Sequence, residues 1–379
     1  MEHGSDLFRA LELAHYAERF RGALFVVSLP NVEAFRDLML DIKVLTGYHI
    51  RVLLTVPDPE HLLEEAVLHA NKRGSRFHLS LATELLDDEN QATSDLDFDR
   101  LQKKLSKGET PIIALHTPGT PVQTNQHLHP VLGLARSIAT KLDARKLFLA
   151  GAPVQSLRNA SRTSHVLLGE LSSMKNNLTA GDGSAEWISF AEETLTKNTV
   201  PDLILFEGRP GELYQETFTH DGAGLLFNDN QSEQIRNATV GDVMDIALLL
   251  RPEIEAGRIL PVSENQIERD ISAYWVFEIN GLLAGLARLR PFGDWAELSQ
   301  FATLSRYRGK GRARDLAIQL EQEAKLEGFT RVFALSIDSR MWDFFTGLGF
   351  QETPRETLPV QWLENYDLSR PSRAFVKTL

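Results

Sequence analysis

The stretch "LSRYRGKGRARDLAIQL", residues 304–320, carries Arg306, Arg308, Lys310, Arg312 and Arg314 at alternate positions. Gly309 and Gly311 fall between them, and no acidic residue interrupts the run before Asp315. A strand, then Arg-x-x-Gly-x-Gly, then a helix is an arrangement suited to phosphate. The first amides of a helix have no internal partner and carry partial positive charge. Glycine lets the backbone approach an anion closely, and flanking guanidinium and ammonium groups add charge-assisted hydrogen bonds. A Walker loop would need Gly-x-x-x-x-Gly-Lys-Ser/Thr, which is not present here. A dinucleotide fingerprint would need a third glycine and a downstream acid. Taken alone, the turn also reads as a solvated basic helix start.

The surroundings of that turn are acidic. The chain has 379 residues, 52 acidic against 40 basic, and a formal net charge of -12. This balance argues against a general nucleic-acid binder, which needs a basic surface. The length favours two domains. The absence of cysteine removes disulfides, thiolate nucleophiles and cysteine-based metal sites, and it fits a cytoplasmic protein. No run of about 20 apolar residues is present to span a bilayer, and the N-terminus lacks the apolar core of a signal peptide. His127 and His129 form a His-x-His pair near His116 in a Pro/Gly-containing segment, with no further ligand beside them, so no metal site is expected.

The elements that hold the turn can be read from periodicity. Leu7, Leu11, Leu13, Ala14, Ala17 and Phe20 recur at near-helical spacing, giving an N-terminal helical arm over 1–21 that serves packing or oligomer contact. Over 22–230, the apolar runs 22–29, 48–56, 110–117, 145–151 and 201–208 read as strands, alternating with helical patterns. That alternation predicts an α/β domain with a parallel or mixed sheet covered on both faces. Residues 170–185 read as a polar loop. The polar interruption over 226–239 is the expected boundary, and a second domain follows over 235–379. Its order is β–α–ββ–β–α–β–α. Thr239 is the expected helix cap, Asn280-Gly281 a tight hairpin, and 373–378 a final strand.

On these residues the turn and the order of elements after 235 resemble the GNAT acetyltransferases and their Arg/Gln-x-x-Gly-x-Gly/Ala motif. Three further segments resemble the N-acetylglutamate synthase family. They are "DWAELSQFATL" with its Trp-x-Glu-Leu run, the ending "LPVQWLENYDLSRPSRAFVKTL", and "ELYQETFTHDGAGLLF", which closes that family's amino-acid-kinase-like domain. Thr217 departs from the usual Leu of the last pattern. The resemblance implies an amino-acid-kinase-like α/β sandwich followed by a GNAT domain. The implied activity is transfer of acetyl from acetyl-CoA to the α-amine of L-glutamate, in arginine biosynthesis.

The resemblance also implies site residues. The coenzyme pyrophosphate would meet the backbone of Arg308, Gly309, Lys310, Gly311, Arg312 and Ala313, behind Arg306. The pantetheine arm would pair with Phe301, Ala302, Thr303 and Leu304. Two carboxylates on an acceptor call for basic anchors, and Arg288 and Arg290, two apart on a strand, share one face. Arg370 and Arg373 match basic positions of the C-terminal motif, whereas Pro371 stands where another is often found. Glu297 resembles the family's general base, with a salt bridge to a neighbouring Arg as the alternative. Ser336 and Tyr366 are candidate proton donors to the departing thiolate.

The first domain departs from a working amino-acid kinase. Ser28 stands where such kinases carry a phosphate-binding Lys, Pro30-Asn31 replace the glycines, and "LLTVPDPEHL" replaces a second glycine-rich turn. Proline has no amide to grip phosphate, so this domain is expected to be kinase-inactive. Glu216 and Gly222 match positions where relatives bind L-arginine as an effector, while Ile204 lies where some carry histidine. The resemblance further implies a homo-oligomer. A GNAT enzyme for another amine, and a non-catalytic arginine or acyl-CoA sensor, are the competing readings.

Overall fold

A computed structural model describes residues 2–58, 61–82, 96–115, 130–178, 181–197, 199–229 and 232–379. The histidines 116, 127 and 129 lie outside the described residues. The chain divides into two units, Met1–Asp229 and Asn230–Leu379.

The first unit runs α1 (Glu2–Arg19), β1 (Leu24–Ser28), α2 (Val32–Gly47), β2 (Arg51–Pro57), α3 (Leu63–Lys72), β3 (Phe77–Ala82), α4 (Phe98–Ser106), β4 (Thr110–Leu115) and α5 (Pro130–Lys141). It continues β5 (Lys146–Ala150), α6 (Val154–Ser161), β6 (His165–Leu167), α7 (Leu171–Asn176), α8 (Ser184–Thr196), β7 (Asp202–Phe206), α9 (Glu212–Phe218) and β8 (Leu225–Asn228). The eight strands form one sheet in the order β3-β4-β2-β1-β5-β7-β8-β6. Every pair is parallel except β7 with β8. The central strands β1, β5 and β7 are buried along their whole length, which is why they read as continuous apolar runs rather than alternating ones.

The polar stretch after residue 170 is in part helical, against the loop expected there. Leu171 and Met174, three apart, are both buried and give α7 an apolar stripe too short for periodicity to show. The N-terminal helix is packed rather than extended. Tyr16, Ala17 and Phe20 are buried, and Glu12 accepts from the amide of His220 at 2.7 Å. Asp41 of α2 accepts the amides of Gly211, Leu213 and Tyr214 at 3.1–3.2 Å, closing the start of α9 from another element. Burial nevertheless pushes its carboxyl above the usual range.

The second unit runs β9 (Glu233–Asn237), α10 (Val243–Glu255), α11 (Glu264–Arg269), β10 (Tyr274–Ile279), β11 (Leu282–Phe292), β12 (Trp295–Thr303), α12 (Arg312–Leu326), β13 (Arg331–Ser336), α13 (Ser339–Gly347), β14 (Gln351–Thr353), α14 (Val360–Leu363) and β15 (Arg373–Thr378). Its sheet has the order β14-β15-β13-β12-β11-β10-β9. Only β12 with β13 is parallel. Asn280 and Gly281 take φ of 48° and 76°, the two positive values a tight hairpin needs, and Ile279 pairs with Leu282 across it. The final strand lies at Arg373–Thr378, as periodicity predicts.

Thr239 caps the short 3-10 turn Val240–Asp242 that leads into α10, through a reciprocal capping box. Its amide donates to Asp242 Oδ2 at 2.7 Å, and the same carboxylate takes two bonds from Arg236 at 2.7 and 2.9 Å. The Arg236 hydrogen bond holds the Asp242 carboxyl below its ordinary value. Its contribution to stability is therefore full above the ordinary carboxylate range and disappears as pH falls through the lowered folded-state value. Asp242→Asn is expected to cost about 2 kcal/mol at neutral pH. Thermal unfolding from pH 7 downward should show the gap to the parent chain closing in acid, and a gap independent of pH would contradict this role.

Candidate functional site

The site begins where β12 leaves β13. Their parallel pairing covers only Trp295–Arg331, Ala296–Val332 and Glu297–Phe333, although β12 continues to Thr303 and β13 to Ser336. Beyond Glu297, β13 stays with β15 and β12 stays with β11. The β11–β12 ladder passes from Arg288–Ser299 to Leu286–Ala302, so Gln300 and Phe301 together oppose Ala287 alone. Gln300 takes φ of 53° at this bulge, and its side chain accepts from the Tyr274 hydroxyl at 2.7 Å. Burial raises the Tyr274 phenol, which keeps it a donor. The two strands splay apart and leave the β12 edge past Glu297 outside any described ladder. An extended chain could pair there.

The opening is a cleft of about 350 Å³ lined by Phe301, Ala302, Thr303, Ser336, Tyr366 and the charged groups described below. Its arginines are Arg258, Arg288, Arg290, Arg308, Arg340 and Arg370, and its acids are Glu253, Glu297 and Asp338. Six cations less three anions leave +3 in the cleft of a chain whose total is -12.

One end of the cleft is the glycine turn. Leu304 donates its amide to Ala284 at 2.9 Å and seats the end of β12. Gly309 and Gly311 take φ of 82° and 81°, and a Cβ on either would meet nothing within 4 Å. Backbone conformation, together with open space around it, therefore explains both glycines. Gly311 is the N-cap of α12, and the amides of 312–314 have no preceding helical carbonyl to reach.

The basic side chains around this turn divide in a way the alternation does not reveal. Arg312 is 3% exposed, pairs with Glu233 at 2.7 Å, and donates to the Tyr307 carbonyl at 3.1 Å. Arg306 is also buried, at 6%. Both side chains are buried in the fold, and Arg312 keeps its backbone at the turn. Arg308 faces the cleft, donating to Thr303 O at 3.0 Å and to Glu253 Oε1 at 2.9 Å. Lys310 is half-exposed.

At the other end, Arg288 and Arg290 both line the cleft, as their shared strand face predicts. Arg288 reaches Ser299 Oγ at 3.4 Å and lies 3.9 Å from Asp270. Arg290 grips Glu297 Oε2 with two bonds of 2.9 and 3.1 Å, directly across the ladder. Trp362, 2% exposed, donates its indole N–H to the other oxygen of Glu297 at 2.9 Å. The salt bridge weighed as the alternative for Glu297 is thus present, and it stands in the cleft. Arg370 donates to the Gly257 carbonyl at 2.7 Å. Arg373 is exposed, pairs with Glu352 and lies over the Trp342 ring at 3.9 Å, outside the cleft lining. Ser336 Oγ accepts the Asp338 amide at 3.0 Å. Tyr366 stacks on Trp362 with centroids 4.2 Å apart and donates to Ser372 at 3.2 Å.

Glu253, Arg258, Asp338 and Arg340 are cleft residues that no sequence pattern marked. Arg340 holds the Asp338 carboxyl below its ordinary value, and Glu253 raises Arg258. Among the described residues, no three His, Cys, Asp or Glu are gathered around a metal-sized space. No helix among them is long and apolar enough to cross a membrane.

In the first unit, Glu216 and Gly222 meet in one turn. Glu216, 3% exposed, accepts the amides of Ala223 and Gly224 at 2.8 and 2.9 Å, while Gly222 takes φ of 63°. Arg158 donates to the Ala223 carbonyl of the same turn at 2.5 Å. At the end of β1, a Cβ on Gly151 would meet Pro30 at 3.3 Å, and Asn31 caps α2 by accepting from Ala34 at 2.8 Å. Pro30, which has no amide proton, thus stands against the backbone at Gly151.

Residues 243–350 match the acetyltransferase (GNAT) family. The chain is 29% identical over 248 residues to the amino-acid acetyltransferases of Azotobacter vinelandii and of Pseudomonas syringae pv. tomato, a match covering 65% of this chain. It spans 57% of the length of each of those relatives. A crystal structure of N-acetylglutamate synthase from Neisseria gonorrhoeae, complexed with coenzyme A and L-arginine, superposes with a TM-score of 0.58 at 23% identity, covering 97% of this chain and 98% of that one. Residues 243–350 of the second unit are thus similar to GNAT acetyltransferases, and the chain as a whole has the fold of the Neisseria N-acetylglutamate synthase.

Proposed function

We propose that this chain transfers acetyl from acetyl-CoA to the α-amine of L-glutamate. The observation that carries the reading is the splayed β12–β13 cleft, with a glycine turn at one end and paired arginines at the other. The glycine turn suits a pyrophosphate, and the bare edge of Phe301–Leu304 suits an amide-bearing arm. Arg288, Arg290 and Arg370 suit a dicarboxylate acceptor. Acetyl transfer forms a C–N bond, breaks the C–S bond of the thioester, and moves one proton from the amine and one to the thiolate. In this reading the Glu297 carboxylate takes the amine proton through water, held in place by Arg290 and Trp362. Ser336 and Tyr366 are the donors proposed for the thiolate.

The first unit is proposed as a kinase-inactive regulatory body that binds L-arginine at the Glu216–Gly222 turn. What supports this is the gathering of both residues there, together with the L-arginine in the related Neisseria structure. The enzyme would act as a homo-oligomer in the cytoplasm, in arginine biosynthesis.

An acceptor screen with acetyl-CoA tests the reading, following free thiol with and without L-arginine. L-glutamate should be the preferred acceptor, its rate should respond to L-arginine, and mono-carboxylate analogues should fall by about tenfold or more. Preference for an unrelated amine would reassign the acceptor, while no thiol release with any amine would leave only a binding protein. Gly311→Asp places a carboxylate at the turn in a strained backbone region, and coenzyme A affinity should fall by about 100-fold, a penalty of the size like charges impose. Unchanged affinity in calorimetry would place the coenzyme elsewhere.

A further inference from the structure

A carboxylate in a cleft built for anions opposes its purpose, and Glu253 is such a group. It sits in the last turn of α10, lines the cleft, and its side chain is 13% exposed. Its Oε1 accepts from Arg308 at 2.9 Å and its Oε2 from Arg258 at 2.5 Å. Its backbone carbonyl accepts the amides of Arg258 and Ile259 at 2.9 and 3.2 Å. The turn after α10 is therefore folded around this one residue. That turn also presents the Gly257 and Arg258 carbonyls, which accept from Arg370 at 2.7 and 3.4 Å. Arg308 belongs to the glycine turn, and Arg370 is one of the cleft arginines proposed above to hold the acceptor. Removing the charge of Glu253 would leave Arg258 and Arg308 as neighbouring like charges with no common counter-ion. Asp338, 4.0 Å from Arg258, faces the same group but already serves Arg340 at 2.6 Å.

We propose that Glu253 is a positioning residue that ties the coenzyme turn to the acceptor wall, so that one carboxylate sets the affinity for both substrates. The proposal rests on the acetyl-transfer reading for the identity of the two ligands. It predicts two-sided effects from a single neutral substitution, because Arg308 and the Arg258–Arg370 link relax together.

The test uses calorimetry on the full chain. Coenzyme A is titrated alone, and L-glutamate is titrated into the coenzyme-A-saturated protein. Glu253→Gln, close in shape, should weaken both by about tenfold with little change in Tm, and Glu253→Asp should restore part of each. Arg308→Gln should weaken coenzyme A alone. The double variant Glu253→Gln/Arg308→Gln should bind coenzyme A no worse than Arg308→Gln. Loss on one side only, no loss, or additive losses in the double variant would overturn the bridge. Two-sided loss in a parent chain that releases no thiol would sink acetyl transfer and keep the bridge. Turnover with unchanged Glu253→Gln affinities would do the reverse, and a parent chain that binds no coenzyme A would end both.

Discussion

A parallel strand pair that holds for three residues and then parts shapes the C-terminal unit. Past the Glu297–Phe333 pair, β12 follows β11 and β13 follows β15. The bulge at Gln300 makes the divergence local, and the Tyr274 hydroxyl holds the bulge from the neighbouring strand. A sheet with continuous pairing would have no bare edge and no room between strands. The glycine turn sits at the end of β12, so the same divergence that exposes an edge also brings a helix N-terminus beside it.

Charge is arranged around that opening with little left to chance in orientation. Arg290, Glu297 and Trp362 form a chain in which both carboxylate oxygens have partners. A buried carboxylate is tolerable when its lone pairs are engaged and its charge is matched. The same pairing fixes where the carboxylate stands in the cleft. Arg312 shows the other use of arginine: buried, it ties the turn to Glu233 of β9 and to the Tyr307 carbonyl.

The two units show opposite fates for glycine. In the second unit, Gly309 and Gly311 keep space open around a helix start. In the first, the equivalent kind of space at the end of β1 is filled by Pro30 against Gly151. Glu216 then has a structural duty, closing the turn that carries Gly222.

Much of this was legible in the residues. Apolar runs located the central strands, Asn280-Gly281 located the hairpin, and Arg-x-x-Gly-x-Gly located the turn, because each depends on neighbours in the chain. The helix α7 escaped notice because two buried residues make too short a period. Which arginines face the cleft could not be read from alternation, since Arg308 and Arg312 sit in one run yet meet different acids, Glu253 and Glu233, brought there by folding. Glu253, Arg258 and Arg370 come from a helix, a turn and a C-terminal loop, and only folding brings them together. Local geometry and hydrophobic period are properties of consecutive residues and survive in sequence. The pairing of charges 55 or 79 positions apart depends on where a sheet opens, and that is decided by tertiary packing.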